Sequence, residues 1–262
     1  MELGLAGKSV FVAAASKGLG KASALEFAKE GAHVTIASRS LEQLEQAREE
    51  IFAATGKQVN IVRMDVRSKE DIHNAIRTAA AAHGGLDVLV TNAGGPRSGF
   101  FADMEESDWM EGFELSLLST IRFIREALPF FKAKGGGRIV NLASTSIKQP
   151  IEGLILSSVF RSGIQSLTKS LASELASDQI LINTVAPGRI ATDRLIELDR
   201  KRAEERQCTM EEVQAEAVGQ IPLGRMGTPE EFAKIVVFYG SFANTYVTGQ
   251  SLLVDGGMVK AL

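Results

Sequence analysis

Residues able to do chemistry collect where apolar runs of this sequence give way to small and hydroxylated side chains. The first such place is Ser9 to Gly20, SVFVAAASKGLG. Val10-Phe11-Val12-Ala13 has the length of a buried strand. Gly18 and Gly20 follow, and then a helical pattern begins at Ala22, Ala24, Leu25 and Ala28. A strand, a glycine turn and a helix N-terminus in that order can cradle a phosphate. The first-turn amides and the dipole favour the anion, and the glycines admit it close to the backbone. The same residues also suit an ordinary tight turn, and this stretch alone leaves both readings open. Two later places resemble it in kind. Thr91 to Gly95 (TNAGG) ends an apolar run with small residues, against which a flat ligand could lie. Ala143-Ser144-Thr145-Ser146 brings three hydroxyls to the end of another such run.

Composition excludes several classes. The chain has 262 residues, 45% of them hydrophobic and 23% charged, which fits one large globular α/β domain. The net charge of -3 comes without a basic tail, so neither nucleic acid nor an anionic membrane is an expected partner. Cys208 is the single cysteine, which rules out an internal disulfide and points to a reducing compartment. His33, His73 and His83 have no ligand spacing, so no metal is expected. With no leader-like N-terminus and no apolar run of spanning length, the expectation is a soluble cytoplasmic protein.

The elements needed to position these residues alternate along the chain. Strands are expected at 10–13, 33–37, 59–64, 86–90, 138–142, 180–185 and 251–254. Helices are expected after the glycine turn and at 41–54, 69–83, about 107–134, 152–176 and 229–240. This alternation predicts a doubly wound parallel sheet of Rossmann type with right-handed crossovers. Ligands in such sheets sit outside the carboxyl ends of the strands, where Ser144 falls. Residues 190–220 are polar and helical in pattern, without an apolar stripe along their full length. No repeat or low-complexity linker divides the chain.

Taken together, these features resemble the short-chain dehydrogenase/reductase superfamily over nearly the whole length. Ala13–Gly20 (AAASKGLG) matches the family's glycine-rich turn, with Ala14 where the first glycine usually stands. Asn92-Ala93-Gly94 matches the motif ending strand four, and Ser144 the catalytic serine ending strand five. Pro187–Thr192 (PGRIAT) matches the segment over the nicotinamide, and Thr248–Gly257 (TGQ…VDGG) the closing strand. Within the family the chain is most similar to bacterial 3-oxoacyl-(acyl-carrier-protein) reductases. The resemblance implies a single Rossmann-type domain over residues 1–262, with a substrate lid at about 190–221. It also implies a homotetramer or homodimer.

The implied cofactor is NADPH. Rossmann-type proteins preferring NAD place an acid at the end of strand two, on the ribose 2′-hydroxyl. Here Ser38 stands there, followed by Arg39, whose planar fork of donors suits a 2′-phosphate. Lys17 adds a second cation in the first turn. The resemblance assigns the cofactor to Ala14, Ser16, Lys17, Gly18, Leu19 and Gly20, then to Ser38 and Arg39. Asp65 and Val66 would lie by the adenine, though Asp65 also reads as a turn residue ending a strand. Asn92, Ala93 and Gly94, then Arg161, Pro187, Gly188, Ile190 and Thr192, complete the set.

At the reacting end the chain departs from the family, which uses a tyrosine to protonate the carbonyl oxygen. A lysine four residues on lowers that tyrosine's pKa and binds the nicotinamide ribose. A serine polarises the carbonyl, and an asparagine holds a relay water. With Leu167-Thr168-Lys169 fixing the register, the tyrosine position is Ser157 and the lysine position Arg161. Ser144 keeps the serine, and Ser116 replaces the asparagine. Only Tyr239 and Tyr246 exist in the chain, so no shift of register restores the phenol. Ser157 and Arg161 are four apart and share a helical face. The expected activity is reduction of a carbonyl to a hydroxyl with an altered proton relay. The substrate would be a small molecule, free or carried on acyl carrier protein or coenzyme A. The alternative is a catalytically silent NADP-binding sensor or assembly partner. Cys208, in the lid, reads as an ordinary thiol. Arg122, Arg125, Lys132 and Lys134 could meet an acidic carrier protein or simply coat a helix.

Overall fold

The computed structural model describes residues 1–261. Strand β1 (Ser9–Ala13) leads through the glycine turn into α1 (Gly18–Lys29). Then follow β2 (His33–Ser38), α2 (Leu41–Thr55), β3 (Asn60–Arg63), α3 (Lys69–Ala82) and β4 (Val88–Thr91). A long helical stretch comprises α4 (Glu106–Phe113), a π-helical turn (Glu114–Leu118) and α5 (Ser119–Ala133). The second half of the fold is β5 (Gly137–Leu142), α6 (Ile155–Glu174), β6 (Ile180–Pro187), α7 (Asp193–Arg206), α8 (Met210–Gly219), α9 (Pro229–Gly240) and β7 (Ser251–Val254).

All seven strands pair in parallel, in the order β3-β2-β1-β4-β5-β6-β7. The order reverses between β1 and β4, which opens a crevice at their carboxyl ends. Helices cover both faces, so β1 is buried at every position and apolar from Val10 to Ala13. Val10 and Val12 pack with Phe27 of α1 and Phe232 of α9, whereas Phe11 and Ala13 pack with Ile76 of α3 and Phe123 of α5.

Beneath the crevice a buried polar ladder fixes the register of α6. Thr91 Oγ1 donates to Asn141 Oδ1 (2.7 Å), Asn141 Nδ2 donates to Thr168 Oγ1 (2.9 Å), and Thr168 Oγ1 shares a hydrogen with Thr184 Oγ1 (2.8 Å). One chain of bonds thereby ties β4, β5, α6 and β6 together.

Three details differ from the sequence expectations. Helix α6 starts at Ile155, three residues later than expected. Gly153 adopts φ +70° and its carbonyl accepts from Gly99 N–H at 2.7 Å, which holds 152–154 in a turn against the loop after β4. The helical region 190–220 is two helices, broken at Gln207 (φ +52°) and restarted by a capping box between Thr209 and Glu212. The long helix before β5 is interrupted by the π turn at Glu114–Leu118.

Candidate active site

The crevice has two walls of different character. On the β1 side, α1 begins without any side-chain cap: Lys17 holds the N-cap position, and Ser16 Oγ is directed to Gln43 Oε1 (3.3 Å). The first-turn amides therefore have no acceptor within the helix and are free for an anion. Gly20 is the tight position, because a Cβ there would stand 2.5 Å from the Ala14 carbonyl oxygen and 3.0 Å from Asn92 Nδ2. Ala14 takes φ +46°, so an alanine occupies the left-handed conformation that the resemblance reserves for glycine. Its carbonyl accepts from Asn92 Nδ2 at 3.2 Å, which fastens the turn to the end of β4. Gly94, at that same end, faces open space.

Two cations flank this wall. Lys17 and Arg39 are exposed, and neither forms an ion pair among the described residues. Ser38 is buried and weakly bonded to the Ser40 carbonyl (3.4 Å), while Ser40 caps α2. No acid ends β2, and although the Asp65 charge is felt at Arg39 it forms no ion pair with it, so the residues fit a dinucleotide carrying a 2′-phosphate. Asp65 is engaged locally. Burial raises its pKa, but the backbone N–H and guanidinium of Arg67 outweigh that and hold the carboxyl below its usual value.

The β5 side is built from side chains. Ser144 follows β5 and caps the short turn Thr145–Ile147, its Oγ accepting from Ser146 N–H at 3.2 Å. With that lone pair used, the hydroxyl proton remains to donate. Ser157 lies in the first turn of α6, is 8% exposed, and makes no hydrogen bond among the described residues. One turn later comes Arg161, 9% exposed. Its Nη1 donates to the carbonyls of Leu142 (3.1 Å) and Ala143 (2.9 Å), the two residues before Ser144. Burial, and then the charge of Arg194, draws the Arg161 guanidinium down to about 10, which leaves it a cation at neutral pH. Ser116 sits within the π turn, its Oγ buried and without a partner among the described residues. The late start of α6 thus places Ser157 at a helix beginning, where the longer expected helix would have put it in the second turn.

Helices α7 and α8 follow the Pro187–Thr192 segment. Thr192 caps α7, and Arg189 pairs with the fully buried Asp199 of α7 through Nη2, at 2.6 and 2.5 Å. From α7, Arg194 donates to the Pro96 carbonyl (3.4 Å) and Lys201 to Ser98 Oγ (2.9 Å). One helix thereby joins the end of β6 to the loop after β4. Gly188 fits only as glycine, since a Cβ would meet Asp255 at 2.5 Å. Sequence reasoning missed Arg194 and Arg189. The signal for Arg194 was its place in the first turn of a helix, where the dipole disfavours a cation.

Among the described residues, no group of three or more His, Cys, Asp and Glu is placed to hold a metal ion, and no helix is long and apolar enough to cross a membrane. Of Arg122, Arg125 and Lys132 on α5 and Lys134 just after it, Arg122 donates to the Arg67 carbonyl (2.6 Å), Lys132 pairs with Asp178 and Lys134 with Asp87. Three of those four cations are used internally, which weakens the case for a carrier-protein footprint there.

Comparison with known proteins agrees with this geometry. The sequence model of the family described as enoyl-(acyl carrier protein) reductase matches residues 13–259. The chain is 36% identical over 258 residues to a 3-oxoacyl-[acyl-carrier-protein] reductase of Aquifex aeolicus, covering 98% of this chain and 100% of that protein. The corresponding reductase of Thermotoga maritima is 33% identical over 97% of this chain and 99% of that protein. The chain belongs to the short-chain dehydrogenase/reductase superfamily. It is an oxidoreductase scaffold. Among solved structures, L-sorbose reductase of Gluconobacter frateurii, complexed with NADPH and L-sorbose, superposes with a TM-score of 0.94 at 30% identity, covering 100% of both chains.

Proposed function

We propose that the chain reduces a carbonyl to a hydroxyl with NADPH, through a proton relay that contains no phenol. The observation that carries this reading is the uncapped glycine turn flanked by Lys17 and Arg39, both without an ion-pair partner among the described residues, with Ser38 where an acid would select NAD. Relatives that reduce 3-oxoacyl groups and a structural neighbour that holds NADPH support it.

Bound NADPH would supply the hydride. In this reading the chain's own residues take roles that their surroundings support. Ser144, one lone pair taken by Ser146 N–H, donates a hydrogen bond to the substrate carbonyl oxygen and polarises it. Arg161, pinned to the end of β5, stabilises negative charge gathering on that oxygen. Proton delivery falls to Ser157, or to a water held between Ser157 and Ser144. Ser116, with its unpartnered buried hydroxyl, suits a second water of the relay. A serine is a far weaker acid than a phenol of pKa about 10. General-acid assistance contributes about 10²–10⁴-fold, so turnover below that of a phenol-bearing reductase is expected. Helices α7 and α8 act as the lid over the substrate. A homo-oligomer and a cytoplasmic location complete the reading.

The silent cofactor-binding alternative is favoured by one observation, the lack of a phenol at position 157. Nicotinamide fluorescence with NADPH and NADH, followed by oxidation on a panel of ketones, oxo acids and 3-oxoacyl thioesters, separates the two. NADPH binding with turnover supports the reductase. Binding without turnover favours the silent protein, and failure to bind either cofactor overturns both. Ser38→Asp is expected to weaken NADPH about tenfold and to improve NADH, since about 1.5 kcal/mol of charge-assisted bonding is lost.

A further inference from the structure

Three arginines of this chain are buried, and the fold treats them differently. Arg189 has a carboxylate partner, Asp199. Arg138 places Nε on the carbonyls of Ser241 (3.2 Å) and Asn244 (3.1 Å) and Nη1 on that of Gly137 (3.0 Å), with its guanidinium 4.7 Å from the centre of the Phe242 ring. Arg161 has neither arrangement. No carboxylate lies within salt-bridge distance of it among the described residues, and Nη1 alone is bonded. The edge formed by Nε and Nη2, the side of the fork that grips a carboxylate with two parallel bonds, has no protein partner. The charge that acts on it is another cation, Arg194 of α7.

A buried cation without a counter-ion costs several kcal/mol, and an arriving anion would recover part of that cost. The cofactor has its own donors for its anionic groups: the amides of α1, Lys17 and Arg39. Those lie on the β1 wall, two strands from β5 and so roughly 10 Å away at the usual spacing. Ribose hydroxyls could accept from Arg161, but neutral groups do not balance its charge. The anion that remains is on the substrate.

We propose that the free edge of Arg161 binds an ionised carboxylate of the substrate, beside the carbonyl that Ser144 polarises, so that the chain acts on small oxo acids and not on thioesters. This deepens the reductase reading and rests on it only in calling the anion a substrate. Arg194 of α7, held by Glu197 (3.0 Å) and the Pro96 carbonyl (3.4 Å), brings no acid to Arg161 and only adds to the positive charge acting on it. The engaged cations on and just after α5 point the same way, because they leave little for a carrier protein to grip.

The test is calorimetric titration of the NADP⁺-loaded protein, and of the protein alone, with 2-oxobutanoate and 3-oxobutanoate against their ethyl esters. Expected is binding of at least one free acid at least tenfold tighter than its ester. In Arg161→Gln the acid should lose about 10²-fold more affinity than its ester, the loss typical of one buried charge pairing, which collapses the preference for acid over ester. Arg161→Lys should recover part of the loss. Equal affinity for acids and esters, no binding of either acid, or full acid binding by Arg161→Gln would overturn the proposal. The acid–ester comparison on the unmodified protein needs no variant to fold. Nicotinamide fluorescence in parallel separates the two readings. NADPH binding without acid discrimination sinks this proposal alone, and acid discrimination without NADPH binding supports it while sinking the cofactor assignment.

Discussion

Strand β5 has a buried arginine at each end, and the two show how the same side chain closes a fold at one edge of a sheet and leaves it chemically open at the other. Arg138, at the amino end, spreads four hydrogen bonds over the carbonyls of Gly137, Gln179, Ser241 and Asn244 and lays its face on Phe242. Arg161, reaching the carboxyl end from α6, uses one nitrogen on two adjacent carbonyls and keeps the rest of its fork bare. Burial lowers the pKa of both. The amino edge gathers loops that a cation can knit together. At the carboxyl edge the chain diverges into the crevice, and the remaining valence faces whatever binds there.

The pair predicts opposite outcomes for the same substitution, and this is the largest effect expected. Arg161→Met should lower kcat/KM on any carbonyl the protein turns over by about 10²–10³-fold, the cost of removing one partner of a buried charge interaction. Its melting temperature should move little, because loss of two carbonyl bonds is offset by relief of an unpaired buried charge. Arg138→Met should leave kcat/KM near its starting value and destabilise by about 3 kcal/mol. For a domain of this size that is a fall in melting temperature of roughly 6–12 °C. Scanning calorimetry and steady-state kinetics on both variants check this. A large fall for Arg161→Met with unchanged kinetics would break the comparison and make Arg161 a second structural arginine.

The two serines sharpen the same contrast on a smaller scale. Ser144 is held by Ser146 N–H and so has a fixed direction, whereas Ser157 has no protein partner among the described residues. Ser144→Ala should cost about 10²-fold in kcat with KM little changed, as expected for a donor that acts mainly in the transition state. Ser157→Ala should cost about tenfold if a water can take its place in the relay. An equal and total loss in both would mean that Ser157 is the sole proton donor, and no loss in either would remove the hydroxyls from the mechanism.

How far this site could be seen in the sequence depended on whether it is made of backbone or of side chains. The β1 wall was legible because its steric demands leave glycines: Gly20 is a contact of 2.5 Å waiting for a Cβ. The sheet was legible because strands covered on both faces read as unbroken apolar runs. The positions of Ser144, Ser157 and Arg161 came from family resemblance and spacing, yet nothing in the spacing says that Arg161 lacks a counter-ion. That property depends on the absence of acids from every neighbouring element. The π turn around Ser116 was hidden because it lies between two helical segments and carries no Pro or Gly to mark it. The start of α6 was hidden by Gly153, whose left-handed φ is set by a bond from Gly99, more than fifty residues away.

The smallest prediction concerns the wall that tolerates substitution. Ala14 holds φ +46°, and an L-residue there costs about 1–2 kcal/mol relative to glycine. Ala14→Gly would remove that strain but enlarge the entropy of the unfolded chain, which returns about 0.4–1 kcal/mol. A net gain of about 0.5–1 kcal/mol is expected, or a rise in melting temperature of roughly 1–4 °C. NADPH affinity should hardly change, because the groups that hold the turn are the Ala14 carbonyl, which accepts from Asn92, and the amides of α1, and glycine supplies the same backbone. Side-chain loss at position 14 is thus expected to be nearly silent where loss at position 161 is not. If Ala14→Gly weakened NADPH binding as much as Arg161→Met weakens turnover, the division of the crevice into a backbone wall and a side-chain wall would fail. Fluorescence titration beside a melting curve decides it, because a purely backbone cradle predicts higher stability at constant affinity.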